Sequence, residues 1–369
     1  MVTVRVPLIS ERDASYDILI DRGLFSDLAR LVVRHCPAHR YAVISDSHVA
    51  ELYGPRVLQS LREGNLEAEL YTFPAGEWNK TRDSWAALSD RMLEAELGRD
   101  AAVLALGGGV VGDVAGFVAA TYYRGLPFVQ LPTTLLAMID SSIGGKTGVD
   151  TTHGKNLLGA FHQPRVVIAD LDTLATLPAP QLIAGTAEAI KHGVIADAGY
   201  CTELDRDRDA VMGTQRDPAA LERLVTRSVE IKAAVVAADE RDGGRRAVLN
   251  FGHTIGHAVE ATNGFAILHG EAIAIGMALE SALAERVGVA ERNTRAAIVR
   301  LLQRFNLPTT LPGEARSDDL LAAMRHDKKR RGDDLHFALP RRIGEMCGDA
   351  TRGWTTPISE DIVRECLGQ

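Results

Sequence analysis

Short apolar runs alternate with segments of helical periodicity in the first half of the chain. Strands are predicted at "YDILID", "RYAVISDS", "RDAAVLALGGG", "PFVQLPTTLL" and "RVVIADLD". Between them, "AELYGPRVLQSLREG" and "VAGFVAATYYRG" repeat apolar positions every three or four residues, which is typical of helices. Strands that alternate with helices form βαβ units around a mostly parallel sheet. The pattern therefore predicts an α/β domain.

The pattern changes after about residue 172, where helical spacing dominates and strands are few apart from "LHFALP". We expect a mainly helical second domain, joined to the first near "DTLATLP", with ligands in the cleft between the two. The segments with helical spacing are "AGTAEAIKHGVIAD", "DPAALERLVTRSVEIKAAVVAADE", "GHAVEATN", "GEAIAIGMALESALAERVG" and "RNTRAAIVRLLQRF".

Composition and charge narrow the possible partners. The 369 residues are too many for one ordinary core, which agrees with two domains. A net charge of −8 argues against nucleic acid as the main partner, because nucleic-acid-binding surfaces are usually basic. No apolar run approaches the ~18 residues of a membrane-spanning helix, and "MVTVRVPLIS" lacks the features of a signal peptide. The spacing of the four cysteines does not indicate a set of disulfides, so we expect reduced thiols and a cytoplasmic protein.

A glycine cluster follows one predicted strand and opens a helix. The segment "LGGGVVGD", residues 106–113, contains G-x-G-x-x-G as Gly107, Gly109 and Gly112. The N–H groups and dipole at such a helix start suit a diphosphate, although a tight strand–helix turn is an alternative. The acidic residue that a dinucleotide fold often places ~20 positions later is missing from "QLPTTLLAM". Polar residues upstream that could take its place are Asp46, Glu77 and Lys80.

Lysines also cluster in this acidic chain. In residues 139–161, Asp140, Lys146, Lys155 and Asn156 stand among glycines, which allow a ligand to approach the backbone closely. Lysines in that setting bind phosphate or carboxylate, although a solvated loop is the alternative. Single charges in apolar helices need partners, because burying an unpaired charge is costly. The single charges of this kind are Glu188, Lys191, Lys232 and Arg246. Lys328 and Lys329 lie in a run of charged residues that is most simply exposed to solvent.

A metal site is a further possibility. His253 and His257, four residues apart in "NFGHTIGHAVE", project from one helical face, and Glu260 lies one turn further on. A catalytic metal typically has three protein ligands and an open position. His269 and Glu188 would have to come from other helices, and spacing alone does not show that these side chains meet.

The motifs just described, in this order, resemble the dehydroquinate synthases, a branch of the sugar-phosphate cyclases. The resemblance covers nearly the whole chain and implies a Rossmann-like NAD-binding α/β domain over residues 1–171. A mainly α-helical metal- and substrate-binding domain over residues 172–369 would follow. The motifs are "PAGEWNK", "ALGGGVVGDVAGFVAATYYRG", "QLPTTLLAMIDSSIGGKTGVD", "GKNLLGAF", "TAEAIKHG", "VLNFGHTIGHAVE", "LHGEAIAIGM" and "DKKRRG".

The resemblance also implies an activity. Members of the family bind NAD and Zn2+, which Co2+ can replace, and form homodimers. They convert 3-deoxy-D-arabino-heptulosonate 7-phosphate to 3-dehydroquinate and phosphate in aromatic amino acid biosynthesis. The steps are oxidation of a hydroxyl, phosphate elimination, re-reduction, ring opening and intramolecular aldol closure. NAD is regenerated, so the enzyme is a lyase rather than a net oxidoreductase.

The family's functional residues fall on definite positions. The metal ligands fall on Glu188, His253 and His269. The catalytic groups fall on Lys146, Lys191, Arg246, Asn250 and His257. The anionic substrate would contact Arg124, Asp140, Lys146, Lys155, Asn156, Lys191, Lys232, Arg246, Leu249, Asn250, His257, Lys328 and Lys329. NAD would contact Asp46, Glu77, Lys80, Gly108, Gly109, Val110, Asp113, Thr133, Thr134, Leu136, Asp140, Lys146, Lys155, Thr176 and Leu177.

Two positions depart from the family pattern. Asp242 stands where the pattern favours Glu, which could change the orientation of Arg246, and Asp150 stands where Asn is usual, in an expected loop.

Three rival functions are possible for such a chain. One is that of a sibling cyclase, a 2-epi-5-epi-valiolone synthase or an aminodehydroquinate synthase. The chain keeps Arg246, Leu249 and Asn250, which favours a carboxylate-bearing substrate. The others are a metal-dependent polyol dehydrogenase, which would release NADH, and a silent NAD-binding protein, which would lose metal ligands.

Overall fold

The computed structural model describes residues 13–264, 266–313, 315–326, 330–331 and 334–368. Its N-terminal half is built on a sheet of six strands: β1 (Asp17–Asp21), β2 (Arg40–Asp46), β3 (Glu67–Phe73), β4 (Ala101–Gly107), β5 (Phe128–Pro132) and β8 (Val166–Asp170). All pairings in this sheet are parallel, in the order β1–β8–β5–β4–β2–β3. The predicted α/β architecture is confirmed.

Burial explains which strands can be predicted from the sequence. β4, β5 and β8 are buried at every position, because helices cover both faces of a parallel sheet, and they are mainly apolar: Gln130 interrupts β5 and Asp170 ends β8. The sequence pattern does not predict the edge strand β3, in which exposed polar residues alternate with apolar ones. The strand predicted at "PFVQLPTTLL" is too long: β5 ends at Pro132, and the Thr134 hydroxyl accepts the Ala137 N–H (3.1 Å) to begin a helical turn.

Four helices cover the sheet. They are α1 (Leu28–His35), α2 (Ser47–Glu63), α3 (Arg82–Glu94) and α4 (Gly109–Thr121). α1 and α2 pack on one face and α3 and α4 on the other, each pair around its own apolar cluster. The chain leaves β2 toward one edge of the sheet and leaves β4 toward the other. The carboxyl ends of β2 and β4 therefore flank the crevice where ligands bind in such sheets.

Residues 146–161 form a β-hairpin, which corrects the expectation of a loop in this stretch. β6 (Lys146–Thr151) pairs antiparallel with β7 (Gly154–Phe161), and the hairpin packs against α4 through Thr147. Asp150 lies in β6 rather than in a loop, and its carboxylate accepts the Asn156 N–H at 2.8 Å. The hairpin thus presents Lys146, Lys155 and Asn156 from ordered strands.

The second half of the chain is mainly helical, as predicted. Of the helices in the described ranges, none combines the length and apolar character that crossing a membrane requires. The helices are α5 (Ala179–Ala196), α6 (Ala198–Met212), α7 (Pro218–Ala238), α8 (His253–Thr262), α9 (His269–Arg286), α10 (Thr294–Arg304), α11 (Ser317–His326) and α12 (Glu360–Leu367). Short strands are β9 (Arg330–Arg331), β10 (Asp334–Phe337), β11 (Pro340–Arg342), β12 (Glu345–Met346) and β13 (Thr356–Ile358). The sheet ends at Asp170, which supports a domain division at residues 171 and 172 as a proposal.

The helix α9 crosses two neighbours at glycines. A Cβ at Gly270 would lie 1.8 Å from the carbonyl oxygen of Ala184 in α5. One at Gly276 would lie 1.9 Å from the carbonyl oxygen of Gly252, directly before α8. The backbones of α5, α8 and α9 therefore approach more closely than any side chain would allow.

Replacing Gly276 by alanine is expected to lower the free energy of unfolding, because α8 and α9 must separate to admit the methyl group. Overpacking of this kind costs about 1–3 kcal/mol. Thermal unfolding measures the change. Gly313→Ala is the control, since a Cβ added there would have no neighbour within 4 Å among the described residues. A Tm for Gly276→Ala equal to that of the control would contradict the close crossing.

Candidate active site

Three helices bring the predicted metal ligands together. Glu188 lies in α5, His253 is the first residue of α8, and His269 is the first residue of α9. Glu188 Oε1 is 3.6 Å from His253 Nε2 and 3.5 Å from His269 Nε2. The convergence that spacing alone could not predict is therefore present in the fold.

The geometry of this cluster fits a divalent ion. Glu188 is fully buried, and its Oε1 has no hydrogen-bond partner among the described residues. Around a tetrahedral Zn2+ with bonds of 2.0–2.1 Å, neighbouring ligand atoms lie about 3.3 Å apart. The observed separations are close to that value. A buried carboxylate oxygen without a hydrogen-bond donor, facing two imidazole nitrogens, is the chemistry that such an ion requires.

A second carboxylate supports the histidine on α9. Glu260 Oε1 is 3.3 Å from His269 Nδ1 and 3.3 Å from Lys155 Nζ. The His269 ring thus has Nδ1 beside the Glu260 carboxylate and Nε2 beside Glu188. A carboxylate at the second ring nitrogen is the usual way in which a metal-binding histidine is oriented. Burial alone would lower the pKa of His269, but Glu188 and Glu260 raise it to about 10. Burial alone would raise the pKa of Glu260, but His269 and Lys155 lower it to about 2.

His257, Glu260 and His269 form an alternative group of possible ligands, as do Asp140, Glu188 and His192. The second group is disfavoured for a cation, because the ammonium groups of Lys191 and Lys232 already surround Asp140. In the first group, Oε1 of Glu260 already faces both His269 Nδ1 and Lys155 Nζ, whereas Oε1 of Glu188 faces two imidazole Nε2 atoms and has no hydrogen-bond partner among the described residues. We therefore favour Glu188, His253 and His269, and treat His257 as a neighbour of the metal.

Buried lysines form the cationic side of the site. Lys191 is ion-paired with Glu188, and its Nζ is 3.9 Å from Asp140 Oδ1. Lys232 Nζ in α7 donates to the Asp140 backbone carbonyl at 2.6 Å and to Oδ1 at 2.5 Å. Burial alone would raise the pKa of Asp140, but Lys232 and Lys191 hold it well below its usual 3.8. The partners required for single charges in apolar helices are thus present.

The turn before α8 holds three more predicted substrate groups, Arg246, Leu249 and Asn250. Arg246 is buried, and its guanidinium donates to the carbonyls of Glu240 (2.6 Å) and Gly144 (3.2 Å). Leu249 and Asn250 follow in the same 3-10 turn, which leads into His253. The sequence allowed Asp242 to change how Arg246 is oriented. The Asp242 carboxylate forms an ion pair with Lys146 at the start of the hairpin, and its effect on Arg246 stays a prediction.

Most of the predicted NAD residues lie at the carboxyl edge of the sheet. Gly108 is the N-cap of α4 and has no side-chain cap, so the N–H groups of Gly109 and Val110 open the helix. The Thr133 N–H donates to the Gly107 carbonyl at 3.0 Å, and the buried Thr133 hydroxyl has no hydrogen-bond partner in the part of the chain described. Such a helix start and a buried hydroxyl fit a diphosphate and a ribose. Thr134 and Leu136 follow in the same turn.

An ion pair of Glu77 and a hydrogen bond of Lys80 link these two predicted NAD residues to the hairpin. Lys80 Nζ donates to Asp113 Oδ2 in α4 at 2.5 Å and to Asn156 Oδ1 at 2.6 Å. Lys155 Nζ lies 3.2 Å from Glu77 Oε1. These contacts place the hairpin beside the glycine loop.

Other predicted residues are further apart. Asp46 ends β2, where its Oδ1 caps α2 by accepting the N–H groups of His48 and Val49. The Thr176 hydroxyl bonds that of Tyr53 (2.6 Å) in α2, and Leu177 is next to it. Arg124 is exposed beyond the end of α4, a helix of 13 residues and about 20 Å, opposite the glycine loop. Lys328 and Lys329 lie outside the described residues.

Three polar residues near the site were not among the predicted ligands and contacts: Glu260, His192 and Glu280. His192 is fully buried, and its Nε2 is 3.6 Å from Asp140 Oδ1. Glu280 is fully buried in α9 and bonds the start of α8. A charged residue within an apolar helical segment was the only signal available for Glu280 in the sequence.

Comparison with known proteins identifies the family. The "3-dehydroquinate synthase N-terminal" family model matches residues 70–184, and "3-dehydroquinate synthase C-terminal" matches residues 185–330. The 3-dehydroquinate synthase of Symbiobacterium thermophilum is 48% identical over 95% of this chain and 96% of its own length. That of Methylococcus capsulatus is 45% identical over 100% of both chains. The chain belongs to the 3-dehydroquinate synthase family, which confirms the resemblance of the motifs.

Solved structures with the same architecture include other cyclases. The 2-epi-5-epi-valiolone synthase of Streptomyces hygroscopicus subsp. jinggangensis 5008, with NAD+ and Zn2+ bound, has a TM-score of 0.88 and 29% identity over 98% of both chains. A 2-deoxy-scyllo-inosose synthase complexed with carbaglucose-6-phosphate, NAD+ and Co2+ gives 0.86 and 27% over 95% of both chains. A probable glycerol dehydrogenase of Sinorhizobium meliloti 1021, with a TM-score of 0.66, 17% identity and coverage of 95% of both chains, shares the fold alone.

Substitution of Glu188 by glutamine is expected to abolish tight Co2+ binding, because the neutral amide is a poor ligand. Glu260→Gln should retain binding but weaken it about 10- to 100-fold, the usual effect of removing a group that supports a ligand. Isothermal titration of metal-free protein with Co2+ measures both. His39→Ala, at an exposed histidine in the N-terminal domain, is the control. Full loss in Glu260→Gln with tight binding in Glu188→Gln would assign the metal to the alternative group.

Proposed function

We propose that the groups around Glu188, His253 and His269 form the active site at which this chain acts as a 3-dehydroquinate synthase. The reaction converts 3-deoxy-D-arabino-heptulosonate 7-phosphate to 3-dehydroquinate and phosphate, as a carbon–oxygen lyase. Relatives with this activity are 45–48% identical over at least 93% of the chain. The observation that supports the location is the convergence of the three metal ligands with Lys191, beside Lys232.

The enzyme uses NAD and one divalent metal, Zn2+ or Co2+. Two cyclases of the same architecture contain NAD+ with Zn2+ or with Co2+. When bound, NAD accepts and returns a hydride, and the metal is a Lewis acid toward a substrate oxygen. Glu188, His253 and His269 would hold the metal. The start of α4 and the Thr133 hydroxyl would hold the diphosphate and a ribose.

The remaining residues would bind a substrate that carries two anionic groups. Its phosphate and carboxylate require cations, and Lys146, Lys191, Lys232 and Arg246 lie around the metal ligands and the neighbouring hairpin. Ammonium and guanidinium groups form the stronger, charge-assisted hydrogen bonds to such anions. The side chain of Lys146 is 53% exposed, so it can exchange Asp242 for a substrate oxygen.

Proton transfer would fall to groups beside the metal. The ring centroid of His257 lies 5.2 Å from that of His253, on the same helical face. Asn250 is in the turn directly before α8. We assign these side chains to hydrogen-bond the substrate and to position the proton that is lost when phosphate leaves.

The sibling cyclases and dehydrogenases are weaker candidates. Identity to the two sibling cyclases is 27–29%, against 45% and 48% to the two 3-dehydroquinate synthases named above. The glycerol dehydrogenase shares the fold at only 17% identity. We also propose that the enzyme is cytoplasmic and has no nucleic-acid or membrane partner, based on its free cysteines and net charge.

Metal-loaded protein given catalytic NAD and the heptulosonate phosphate should release phosphate without accumulating NADH. A chelator and the Glu188→Gln substitution should each abolish the release. Phosphate and NADH absorbance are followed in the same sample. Build-up of NADH would indicate a net dehydrogenase. Turnover of sedoheptulose 7-phosphate in place of the heptulosonate would indicate a sibling cyclase.

We further propose that the enzyme is a homodimer that uses the hairpin as part of its interface. Among the described strands, β7 pairs only with β6, and Leu157, Leu158 and Phe161 on it are about 40% exposed. An edge strand with exposed apolar side chains is suited to contact a second copy.

Light scattering is expected to give the mass of two chains, each of 39.8 kDa. Changing Leu157, Leu158 and Phe161 together to serine should shift the protein toward monomer, because the apolar contact is lost. Leu93→Ser, at a residue 55% exposed in α3, is the control. A triple variant with the wild-type mass would place the interface elsewhere.

A further inference from the structure

The start of α8 lacks a capping side chain of its own. Its N-cap is Gly252, which has a left-handed backbone (φ +80°) and no side-chain oxygen to accept the free N–H groups of the first turn. A Cβ at this position would lie 2.6 Å from the Met277 side chain, so a capping residue does not fit there.

The cap is supplied by α9. Glu280 is fully buried, and its Oε2 accepts the Gly252 N–H at 2.7 Å while its Oε1 accepts the Ile255 N–H at 3.1 Å. These two N–H groups stand on either side of His253. A carboxylate at this end of a helix is also stabilised by the helix dipole.

The same peptide group contacts the metal ligand. The Gly252 N–H and the Phe251 carbonyl belong to one planar peptide unit. Nδ1 of His253 lies 3.1 Å from that carbonyl oxygen. One rigid peptide therefore stands between Glu280 and the imidazole. Donation from Nδ1 to the carbonyl leaves Nε2 without a proton and facing Glu188, as a metal ligand requires.

We propose that Glu280 is a positioning residue for the metal site, which acts through the peptide between Phe251 and Gly252 on the ring of His253. Its negative charge polarises the peptide and makes the carbonyl a stronger acceptor for Nδ1. Its two hydrogen bonds also fix the backbone from which His253 projects. The inference rests on the proposed metal site, and it adds a residue that does not contact the ion.

The test compares Glu280→Gln with a matched carboxylate elsewhere. Glutamine keeps one acceptor, but its NH2 group faces a backbone N–H and carries no charge. Asp170→Asn is the control: Asp170 is also fully buried and accepts the N–H groups of Gly23 (2.9 Å) and Phe25 (2.9 Å) at a glycine-initiated turn. Both variants are titrated with Co2+, and the visible absorption of bound Co2+ and the Tm of the metal-free protein are recorded.

Both variants are expected to have a lower Tm. Only Glu280→Gln should bind Co2+ about tenfold more weakly and with an altered absorption spectrum, since removing a supporting group usually costs 10- to 100-fold in affinity. Wild-type affinity and spectrum in Glu280→Gln would reduce Glu280 to a purely structural role and overturn the proposal. Wild-type protein that fails to bind Co2+ would overturn the metal site itself, and the inference with it.

Two further measurements test the proposal. The first needs no variant and applies even if Glu280→Gln does not fold, and the second tests whether Glu280 acts through His253. In wild-type protein, the Gly252 and Ile255 amides should exchange hydrogen as slowly as those within α9, and exchange at the rate of exposed loops would contradict the cap. In a His253→Ala background, adding Glu280→Gln should leave the remaining Co2+ affinity within about twofold. A full tenfold loss there would show that Glu280 does not act through His253.

Discussion

The structure depends on the need to bury charges in pairs. Glu188, Lys191 and Lys232 are nearly inaccessible to solvent, and an isolated buried charge costs several kcal/mol. The helices α5 and α7 and the turn that carries Asp140 must therefore pack so that each charge meets its opposite. The packing that satisfies the lysines also fixes the Glu188 carboxylate in front of His253. The packing of these helices and the proposed binding of metal and substrate thus depend on one set of electrostatic contacts.

The elements that could be predicted are those whose structure follows from the pattern of apolar and polar residues within one continuous segment. β4, and β8 up to its final residue Asp170, are continuous apolar runs because they are covered on both faces, and α9 has helical spacing throughout. β3 was missed because an edge strand buries only alternate positions. The hairpin formed by β6 and β7 was missed because glycine-rich strands lack an apolar pattern, and their pairing is set by packing on α4.

The candidate site could be predicted as a set of residues but not as a geometry. The motifs identified Glu188, His253 and His269, yet these residues are 65 and 16 positions apart, and only helix packing brings them together. Asp242 illustrates the limit, since its contact is with Lys146, 96 positions earlier, rather than with nearby Arg246. Glu280 could not be assigned either, because its partners are backbone N–H groups on another helix.

The close helix crossings divide the molecule into a part that resists change and a part that tolerates it. At Gly270 and Gly276 the neighbour is a carbonyl oxygen of another helix, so no rotamer can make room for a side chain. The hairpin and the ends of the strands instead meet the site through side chains, such as Lys146 and Asn156. New substrate preferences in this architecture should therefore arise from substitutions on the hairpin and in the turn before α8. The three helices that carry the proposed metal ligands, α5, α8 and α9, should change little. An engineer who wants a different cyclised product would leave α9 untouched.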